Sequence, residues 1–351
     1  MPNNPKIKID GIEIGKGFPP YIIAELSANH NGRIENALQL IKEAKLAGAN
    51  AVKLQTYTAD TITLDSEDED FQIQGGLWSG RSLYSLYQEA HMPWEWHEEL
   101  FHYARSIGIS IFSSPFDSSA VDMLEGLNTP AYKIASFEAI DLPLIKYVAS
   151  TKKPMIISTG MADAEEIAEA IDTAKSSGCE SLAILHCVSG YPAPAEDYNL
   201  EIIPDMMAKF NLVTGLSDHT IDNSTAIAAV ALGASLVEKH FTLDRNGGGP
   251  DDSFSLEPEE LRALCESTRN AWSALGNADY GRKSSEIGNA KFRRSLYFVK
   301  DIMAGSVIGA DAVRSVRPGY GLPPRELERV IGSVATKDIK RNTKVTEDSF
   351  E

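Results

Sequence analysis

Continuous apolar runs alternate with segments of helical periodicity through the first two thirds of the chain. The segments 34–49, 163–178 and 223–234 place apolar residues at helical spacing. Strands that are apolar along their whole length are typical of parallel sheets buried on both faces. Eight such β/α units predict an α/β protein with a (β/α)8 TIM barrel. The eight runs lie at 21–26, 51–57, 109–115, 131–136, 154–160, 181–187, 211–217 and 234–241.

Two segments depart from this alternation. Residues 57–93 form a long insertion after the second strand, first acidic and then aromatic and glycine-rich, which predicts a lid or binding loop at the top of the barrel. After the last helix, residues 281–294 are polar and basic, and residues 295–351 combine short strands, Gly/Pro turns and one short helix. We therefore predict a barrel domain at 1–280, a linker at 281–294 and a small domain at 295–351.

Composition narrows the class of partner. The formal net charge of −17 argues against nucleic acid, because binding phosphate backbones requires a basic face. The sequence has no apolar run long enough to span a membrane and no signal peptide at its start. Its three cysteines are sparse and not in a metal-binding pattern, which favours a reducing, cytoplasmic location. We expect small-molecule substrates and no nucleic-acid or membrane partner.

Polar residues gather where each predicted strand ends, which is the end of a β/α barrel that carries the chemistry. Burying unpaired charges there would cost several kcal/mol, so the set predicts a site for a polar, charged ligand. All eight strands contribute to it: Glu25, Asn29, His30, Lys53, Gln55, Ser113, Ser114, Lys133, Ser136, Glu138, Ser158, Thr159, His186, Ser189, Tyr191, Ser217, Asp218, His219, Glu238 and His240.

Within this set, two histidines and two lysines stand out. His219 and His240 end consecutive strands, so they either share a divalent metal or serve as ordinary hydrogen-bonded structural residues. Lys53 and Lys133 have apolar neighbours, which favours inward placement. Two ammonium groups with several serine hydroxyls suit a phosphate or a carboxylate. The alternatives are that these lysines are solvated or that they pair with Glu25 and Glu138.

Several motifs resemble those of the sialic acid synthase family. They are "AELSANHNG" at 24–32, "AVKLQTY" at 51–57, "KIAS" at 133–136, "ISTGM" at 157–161, "YPAP" at 191–194, "GLSDHT" at 215–220, "EKHFT" at 238–242 and "GPDDSFS" at 249–255. The stretch "VRPGYGLPP" at 316–324 resembles the antifreeze-like SAF domain of the same enzymes. The resemblance covers nearly the whole chain in order. It implies condensation of phosphoenolpyruvate with an open-chain 2-acetamido sugar to a nine-carbon keto acid, with phosphate leaving by C–O cleavage.

The resemblance also implies roles for individual residues. His219 and His240 would bind a divalent metal, Mn²⁺ first and Mg²⁺ or Co²⁺ as alternatives, and would act in catalysis with Glu25 and Glu138. The family often has asparagine near Ser189, where this chain departs from the pattern. Arg317, from the second domain, would reach the barrel of another subunit in a domain-swapped homodimer. The residues implied for phosphoenolpyruvate are Lys53, Ser114, Lys133, Ser136, Ser158 and Ser189, and those implied for the sugar are Gln55, Tyr191, Asp251 and Arg317.

Some features resemble one branch of the family, the synthases of pseudaminic acid. These are the aromatic segment 77–97, Phe137 and the segment 191–200. The sugar of that branch, 2,4-diacetamido-2,4,6-trideoxyaltrose, lacks a 6-hydroxyl group. An apolar wall could face it, or the same aromatics could simply pack: Trp78, Tyr84, Phe137 and Tyr191. The alternatives are an N-acetylneuraminate or legionaminate synthase, a metal-dependent pyruvate aldolase, and a non-catalytic carbohydrate-binding protein.

Overall fold

A closed barrel of eight parallel strands forms the centre of the first of two compact units in this computed structural model. The structure describes residues 4–351, and the units divide between Gly276 and Asn277. The predicted TIM barrel is confirmed, because all eight predicted runs form its strands. The strands of this unit are β1 (Lys6–Ile9), β2 (Ile12–Gly15), β3 (Tyr21–Glu25), β4 (Ala51–Thr56), β5 (Ser110–Pro115), β6 (Tyr132–Ile134), β7 (Met155–Ser158), β8 (Leu182–Cys187), β9 (Val213–Asp218) and β10 (Leu236–His240).

Helices follow the barrel strands and pack their apolar faces against them, so the main core lies between helices and sheet. The barrel closes where β10 pairs with β3. The predicted insertion after β4 contains two short helices. The helices are α1 (Ile34–Ala47), α2 (Ala59–Ile62), α3 (Leu83–Ala90), α4 (His97–Ile107), α5 (Ser118–Gly126), α6 (Leu142–Ser150), α7 (Ala164–Ser176), α8 (Ile202–Phe210), α9 (Ser224–Ala231) and α10 (Pro258–Leu275).

The antiparallel hairpin β1–β2 precedes the barrel and was not predicted. Its Ile7, Ile9 and Ile14 are buried in one cluster with residues from the beginnings of the barrel strands, such as Tyr21. Ser110, the first residue of β5, donates a 2.8 Å hydrogen bond to Asp10 in the hairpin turn. The hairpin therefore covers the amino-terminal end of the barrel and leaves the opposite end for chemistry.

The last two barrel strands pair in a register that matters for the site. Ser217 lies opposite Glu238, and Asp218 lies opposite Lys239. Because successive side chains of a strand point to opposite faces, one pair faces the barrel interior and the other faces the helices. Gly215 allows this close pairing, since a Cβ atom there would lie 2.5 Å from the carbonyl oxygen of Leu236.

The second unit has its own small core around Leu296, Phe298 and Val330. Its strands β11 (Ser295–Phe298) and β12 (Val313–Val316) pair antiparallel. The short helix α12 (Leu327–Val330) is the one that the sequence predicts. Within the predicted linker the structure forms another short helix, α11 (Ser284–Ile287). Across residues 4–351, the structure contains no helix of the length and apolarity needed to cross a membrane.

Candidate active site

Two lysines and two glutamates meet inside the barrel near the carboxyl ends of their strands. Lys53 on β4 forms an ion pair with Glu25 on the neighbouring strand, and its Nζ lies 3.8 Å from Oε1 of Glu238. Lys133 on β6 lies 3.0 Å from the same oxygen. The sequence alternative that Lys133 pairs with Glu138 is therefore wrong, because Glu238 reaches across the barrel to it. The two predicted ammonium groups do converge, but on a carboxylate.

Burial and neighbouring charges shift the pKa values of these four residues, the quartet, in different directions. Burial raises the pKa of Glu25, although Lys53 opposes the shift. Burial also lowers the pKa of Lys133 despite the nearby carboxylate of Glu238. For Lys53 the carboxylates of Glu238 and Glu25 outweigh burial, so its pKa is raised. The two ammonium groups likewise outweigh burial at Glu238 and lower its pKa. Glu25 is thus the carboxylate of the quartet that gains a proton most readily.

Serine hydroxyls stand close to the lysines. Nζ of Lys53 lies 3.3 Å from Oγ of Ser114. Ser158 and Ser189 are the informative pair, because both hydroxyl groups are buried and have no hydrogen-bond partner. Buried polar groups in folded proteins are nearly always hydrogen-bonded, so these two orphaned hydroxyls at the carboxyl ends of β7 and β8 indicate a place for a polar ligand.

A glycine makes the room for these hydroxyls. A Cβ atom on Gly160 would lie 2.9 Å from Oγ of Ser136 and would collide with Oγ of Ser189. Ser136 in turn donates a 3.2 Å hydrogen bond to the sulfur of Cys187. Two of the predicted anion-binding serines, Ser136 after β6 and Ser189 after β8, thus flank one backbone position that only glycine can occupy without displacing them.

The two predicted histidines lie side by side, with ring centroids 5.4 Å apart. Nδ1 of His219 lies 2.8 Å from the carbonyl oxygen of Val188. A carbonyl oxygen only accepts, so Nδ1 carries a proton, and Nε2 offers a lone pair when the ring is neutral. Burial opposes the charged ring, but the sulfur of Cys187 and the carbonyl of Val188 outweigh it and raise the pKa of His219. Nδ1 of His240 is buried without a hydrogen-bond partner. Burial, and then the charges of His219 and Lys53, lower the pKa of His240 well below its usual range, so this ring is neutral.

Two adjacent imidazoles with available nitrogen lone pairs fit a divalent metal ion. The described residues 4–351 contain no group of three or more His, Cys, Asp or Glu side chains arranged to hold one. An ion bound by His219 and His240 would therefore keep open coordination positions, which catalytic metals use for substrate or water. Asp251 stands behind the pair, with Oδ2 3.8 Å from Nδ1 of His240.

Acidic side chains with shifted pKa values complete the site. Burial, reinforced by Asp141, raises the pKa of Glu138 to about 7, and one of its carboxyl oxygens has no hydrogen-bond partner. Burial raises the pKa of Asp251 to about 6, although the hydrogen bond from Ser27 opposes the shift. Gln55 donates hydrogen bonds of 3.1 Å to Glu25 and 3.0 Å to the Ser27 hydroxyl. Gln55, Glu25 and Asp251 therefore belong to one hydrogen-bonded network.

Aromatic rings cover the histidine pair. The ring of Tyr191 lies 4.4 Å from that of His219, and Phe254 lies 5.0 Å from His240. Trp78, from the predicted lid, lies 5.8 Å from Tyr191, and its indole nitrogen donates a 3.0 Å hydrogen bond to the carbonyl of Pro250. Trp78 and Tyr191, two of the four residues predicted for an apolar wall, thus lie in this aromatic cluster with Phe254.

The other two predicted wall residues are not brought into this aromatic cluster. The hydroxyl of Tyr84 donates a 3.1 Å hydrogen bond to Asp60 on the exposed surface of the insertion. Phe137 is 59% exposed. Arg317 belongs to the second unit, where it directly follows β12, so its predicted role at the site stays a prediction.

Comparison with known proteins identifies the family to which the chain belongs. Residues 40–280 match the NeuB family and residues 293–351 match the SAF domain. The chain belongs to the NeuB family. It is 45% identical to a pseudaminic acid synthase of Campylobacter jejuni subsp. jejuni serotype O:23/36 (strain 81-176), over 94% of this chain and 96% of that protein. It is 42% identical to the pseudaminic acid synthase of Helicobacter pylori (strain ATCC 700392 / 26695), over 95% of this chain and 98% of that protein.

A solved structure agrees with the fold of this NeuB family member. The N-acetylneuraminic acid synthetase of Leptospira borgpetersenii serovar Hardjo-bovis superposes with a TM-score of 0.73 at 31% identity. The match covers 83% of this chain and 96% of the Leptospira chain. The resemblance to the sialic acid synthase family, and the barrel followed by a SAF domain, are therefore confirmed.

Sequence reasoning missed the central position of one residue in this NeuB family site. Glu238 was recognised as a polar residue at a strand end, but it received no role, whereas it contacts both lysines and accepts a 3.3 Å hydrogen bond from Ser217. Its two-residue spacing from His240 already placed both side chains on one face of β10. That spacing was the signal that could have identified it.

Proposed function

We propose that this NeuB family protein is a pseudaminic acid synthase. It condenses phosphoenolpyruvate with 2,4-diacetamido-2,4,6-trideoxyaltrose, and water supplies the oxygen that replaces the phosphate. The new C–C bond joins C3 of phosphoenolpyruvate to the sugar aldehyde carbon. The C2–O bond to phosphate then breaks, which releases inorganic phosphate and pseudaminic acid. Relatives with this name match nearly the whole chain.

One observation carries the proposal. The histidine pair lies close enough to Lys53 and Lys133 for both lysines to lower the pKa of His240, and two serine hydroxyls at the same end of the barrel are buried without a hydrogen-bond partner. Activating an aldehyde requires a group that polarises its oxygen, and binding a phosphorylated carboxylic acid requires cations and hydroxyl donors. A sugar aldehyde and phosphoenolpyruvate together require both.

The lysines and serines bind phosphoenolpyruvate in this proposal. Lys53 and Lys133 hold its phosphate and carboxylate, with hydroxyl donors from Ser114, Ser136, Ser158 and Ser189. Because both ammonium groups already contact glutamates, the arriving anion takes over contacts that Glu25 and Glu238 now make. Exchanging one anionic partner for another avoids leaving a buried ammonium unpaired, which would be costly.

His219 and His240 hold a divalent metal, with Mn²⁺ proposed first and Mg²⁺ or Co²⁺ as alternatives. When bound, the ion polarises the aldehyde oxygen and stabilises the negative charge that develops there. The carbonyl of Val188 keeps the proton of His219 on Nδ1, which leaves Nε2 as the nitrogen that would bind the ion.

Glu138 is the proposed general acid and base. A pKa of about 7 leaves it partly protonated at neutral pH, where an acid–base residue exchanges protons most efficiently. Its orphaned carboxyl oxygen is free to give a proton to the new alkoxide. Glu25 positions the attacking water or the substrate beside Lys53.

Gln55 and Asp251 bind hydroxyl and acetamido groups of the sugar in this proposal, while Trp78 and Tyr191 face its apolar part. A sugar with a methyl group at C6 suits such a wall better than one with a hydroxyl group. The discrimination available from one such group in an apolar pocket is about 10²-fold. The same donor chemistry with an N-acetylneuraminate or legionaminate precursor is therefore the nearest alternative.

Arg317 contributes to the sugar site of a second subunit in a homodimer, and the family resemblance supports this part. Arg317→Ala should lower kcat/KM for the sugar by at least tenfold while the Tm stays close to that of the wild type. Mixing this variant with inactive His240→Ala should restore activity, because one of the shared sites would then be intact. If the mixture stays inactive although the chains exchange, the site is not shared.

The deciding experiment measures phosphate release with phosphoenolpyruvate and three sugar precursors in parallel, in ¹⁸O-labelled water. We expect the highest kcat/KM with the trideoxyaltrose derivative and unlabelled phosphate. A higher value with a 6-hydroxylated precursor would reassign the sugar. Product formation from pyruvate without phosphate release would identify an aldolase, and binding without turnover would identify a carbohydrate-binding protein.

A further inference from the structure

Lys239 separates Glu238 from His240 on β10, but its side chain takes the opposite direction. Glu238 faces the barrel interior, where Ser217 donates to it. Lys239 faces away from the interior, is 2% exposed and lies opposite Asp218, the last residue of β9. A lysine so deeply buried requires polar partners, because an unpaired ammonium in a protein interior is very unfavourable.

Within residues 4–351, all the polar partners of Lys239 belong to the short segment 218–222. Its ammonium lies 2.9 Å from Oδ2 of Asp218, 2.7 Å and 3.2 Å from the carbonyl and hydroxyl of Thr220, and 2.7 Å from the carbonyl of Asp222. The three protons of an ammonium are fully used by this set. The other oxygen of Asp218 accepts a 2.9 Å hydrogen bond from the amide of Thr220. The segment therefore closes around a single cation.

This segment contains His219. On its other side, the amide of His219 donates a 2.6 Å hydrogen bond to the hydroxyl of Tyr198, and its ring is held by Val188. Those contacts orient the ring, while Lys239 holds the backbone to which it is attached. Because His240 is the next residue after Lys239, one side chain links the positions of both imidazoles.

We propose that Lys239 is a positioning residue for the histidine pair. It fixes His219 at the distance from His240 at which both rings bind one divalent metal ion. This inference rests on the metal site of the proposed function. Residues that orient metal ligands typically change metal affinity by about 10–100-fold when they are removed. A lysine that served the fold alone would change stability and leave the affinity of the folded protein unaltered.

The test is titration of Mn²⁺ into the metal-free, full-length protein, followed by calorimetry and by the electron paramagnetic resonance signal of free Mn²⁺. Lys239→Met should raise the Mn²⁺ dissociation constant by about 10–100-fold. Leu124→Ala is the matched control, because it removes a fully buried side chain from α5 and lowers stability without touching the segment. Its dissociation constant should equal that of the wild type.

Equal affinity in Lys239→Met and wild type would overturn the positioning role and leave the metal site standing. A wild-type protein that binds no Mn²⁺ would instead overturn the metal site itself, and the positioning role with it. If Lys239→Met does not fold, Asp218→Asn keeps the shape of the segment and removes the charge that the ammonium contacts. This variant should also weaken Mn²⁺ binding, and unchanged affinity there would equally overturn the role.

Discussion

The two ends of the barrel are built from different kinds of side chain. At the amino-terminal end, the hairpin packs Ile9 and Ile14 against the beginnings of the strands in a cluster of apolar residues. At the carboxyl-terminal end, equally buried positions hold charged groups such as Lys53 and Glu238. The first end can be explained by the free energy of burial alone. At the second end, burial of charged groups is unfavourable by itself, and this exception indicates where the functional site lies.

Orphaned polar atoms are concentrated at the carboxyl-terminal end, although the Tyr21 hydroxyl at the amino-terminal end also lacks a hydrogen-bond partner. The buried side-chain atoms without a hydrogen-bond partner include those of Ser158, Ser189, Glu138 and His240, all at the carboxyl-terminal end. A ligand that binds there satisfies them and stabilises the folded protein by mass action. The comparison therefore predicts that substitutions at one end change chemistry and substitutions at the other change stability.

Among substitutions at the carboxyl-terminal end of the barrel, His240→Ala should have the largest effect. Loss of one of the two imidazoles should lower kcat by about 10²–10³-fold, comparable to removing one electrostatic stabiliser of a developing oxyanion. Metal binding should be lost with it, while the Tm stays close to that of the wild type. Steady-state phosphate release and metal titration check this, with the exposed His102→Ala as control. A variant that retains activity in chelator would refute the metal assignment.

Ile9→Ala tests the opposite end. Removing the buried side chain should lower the free energy of unfolding by about 2–5 kcal/mol, because it leaves a cavity between hairpin and barrel. The folded variant should keep the kcat/KM of the wild type. Urea unfolding and steady-state kinetics below the transition measure both quantities. A large loss of kcat/KM without loss of stability would mean that the two ends are coupled.

Glu138→Gln should change both turnover and the pH dependence of stability. Its pKa is raised to about 7 in the folded state, above the ordinary glutamate value, so the folded protein holds this proton more tightly than the unfolded chain. Wild-type stability should therefore fall as pH rises between about 4.5 and 7, by about 3 kcal/mol for this group. The glutamine variant lacks this ionisation and should gain in relative stability from pH 5 to pH 8 while it loses turnover.

Urea unfolding of both proteins at pH 5 and pH 8 measures the change. Glu196→Gln is the control, because Glu196 is exposed and outside the site. A difference between wild type and Glu138→Gln that does not depend on pH would show that the carboxyl group is not held protonated by its burial.

The sequence was sufficient for the barrel because its strands are continuous apolar runs, a signal that depends only on local composition. The hairpin could also have been predicted, since β1 and β2 alternate apolar and polar residues on either side of Asp10 and Gly11, which is a typical hairpin signal. Only part of the site carries such a local signal. Strand ends identified Lys133 and His240, but the pairing of Lys133 with Glu238 depends on side chains that cross the barrel, and no local pattern records it.

Gly160→Ala should have the smallest effect and tests whether the serines bind the anion. The added methyl group would displace the hydroxyls of Ser136 and Ser189. We expect the KM for phosphoenolpyruvate to rise by about tenfold, which corresponds to the loss of about one hydrogen bond to a charged group. Gly126→Ala is the matched control, since a Cβ atom there meets no atom within 4 Å. If the KM for the sugar rises and that for phosphoenolpyruvate does not, the serines face the sugar, and the anion is held by the lysines alone.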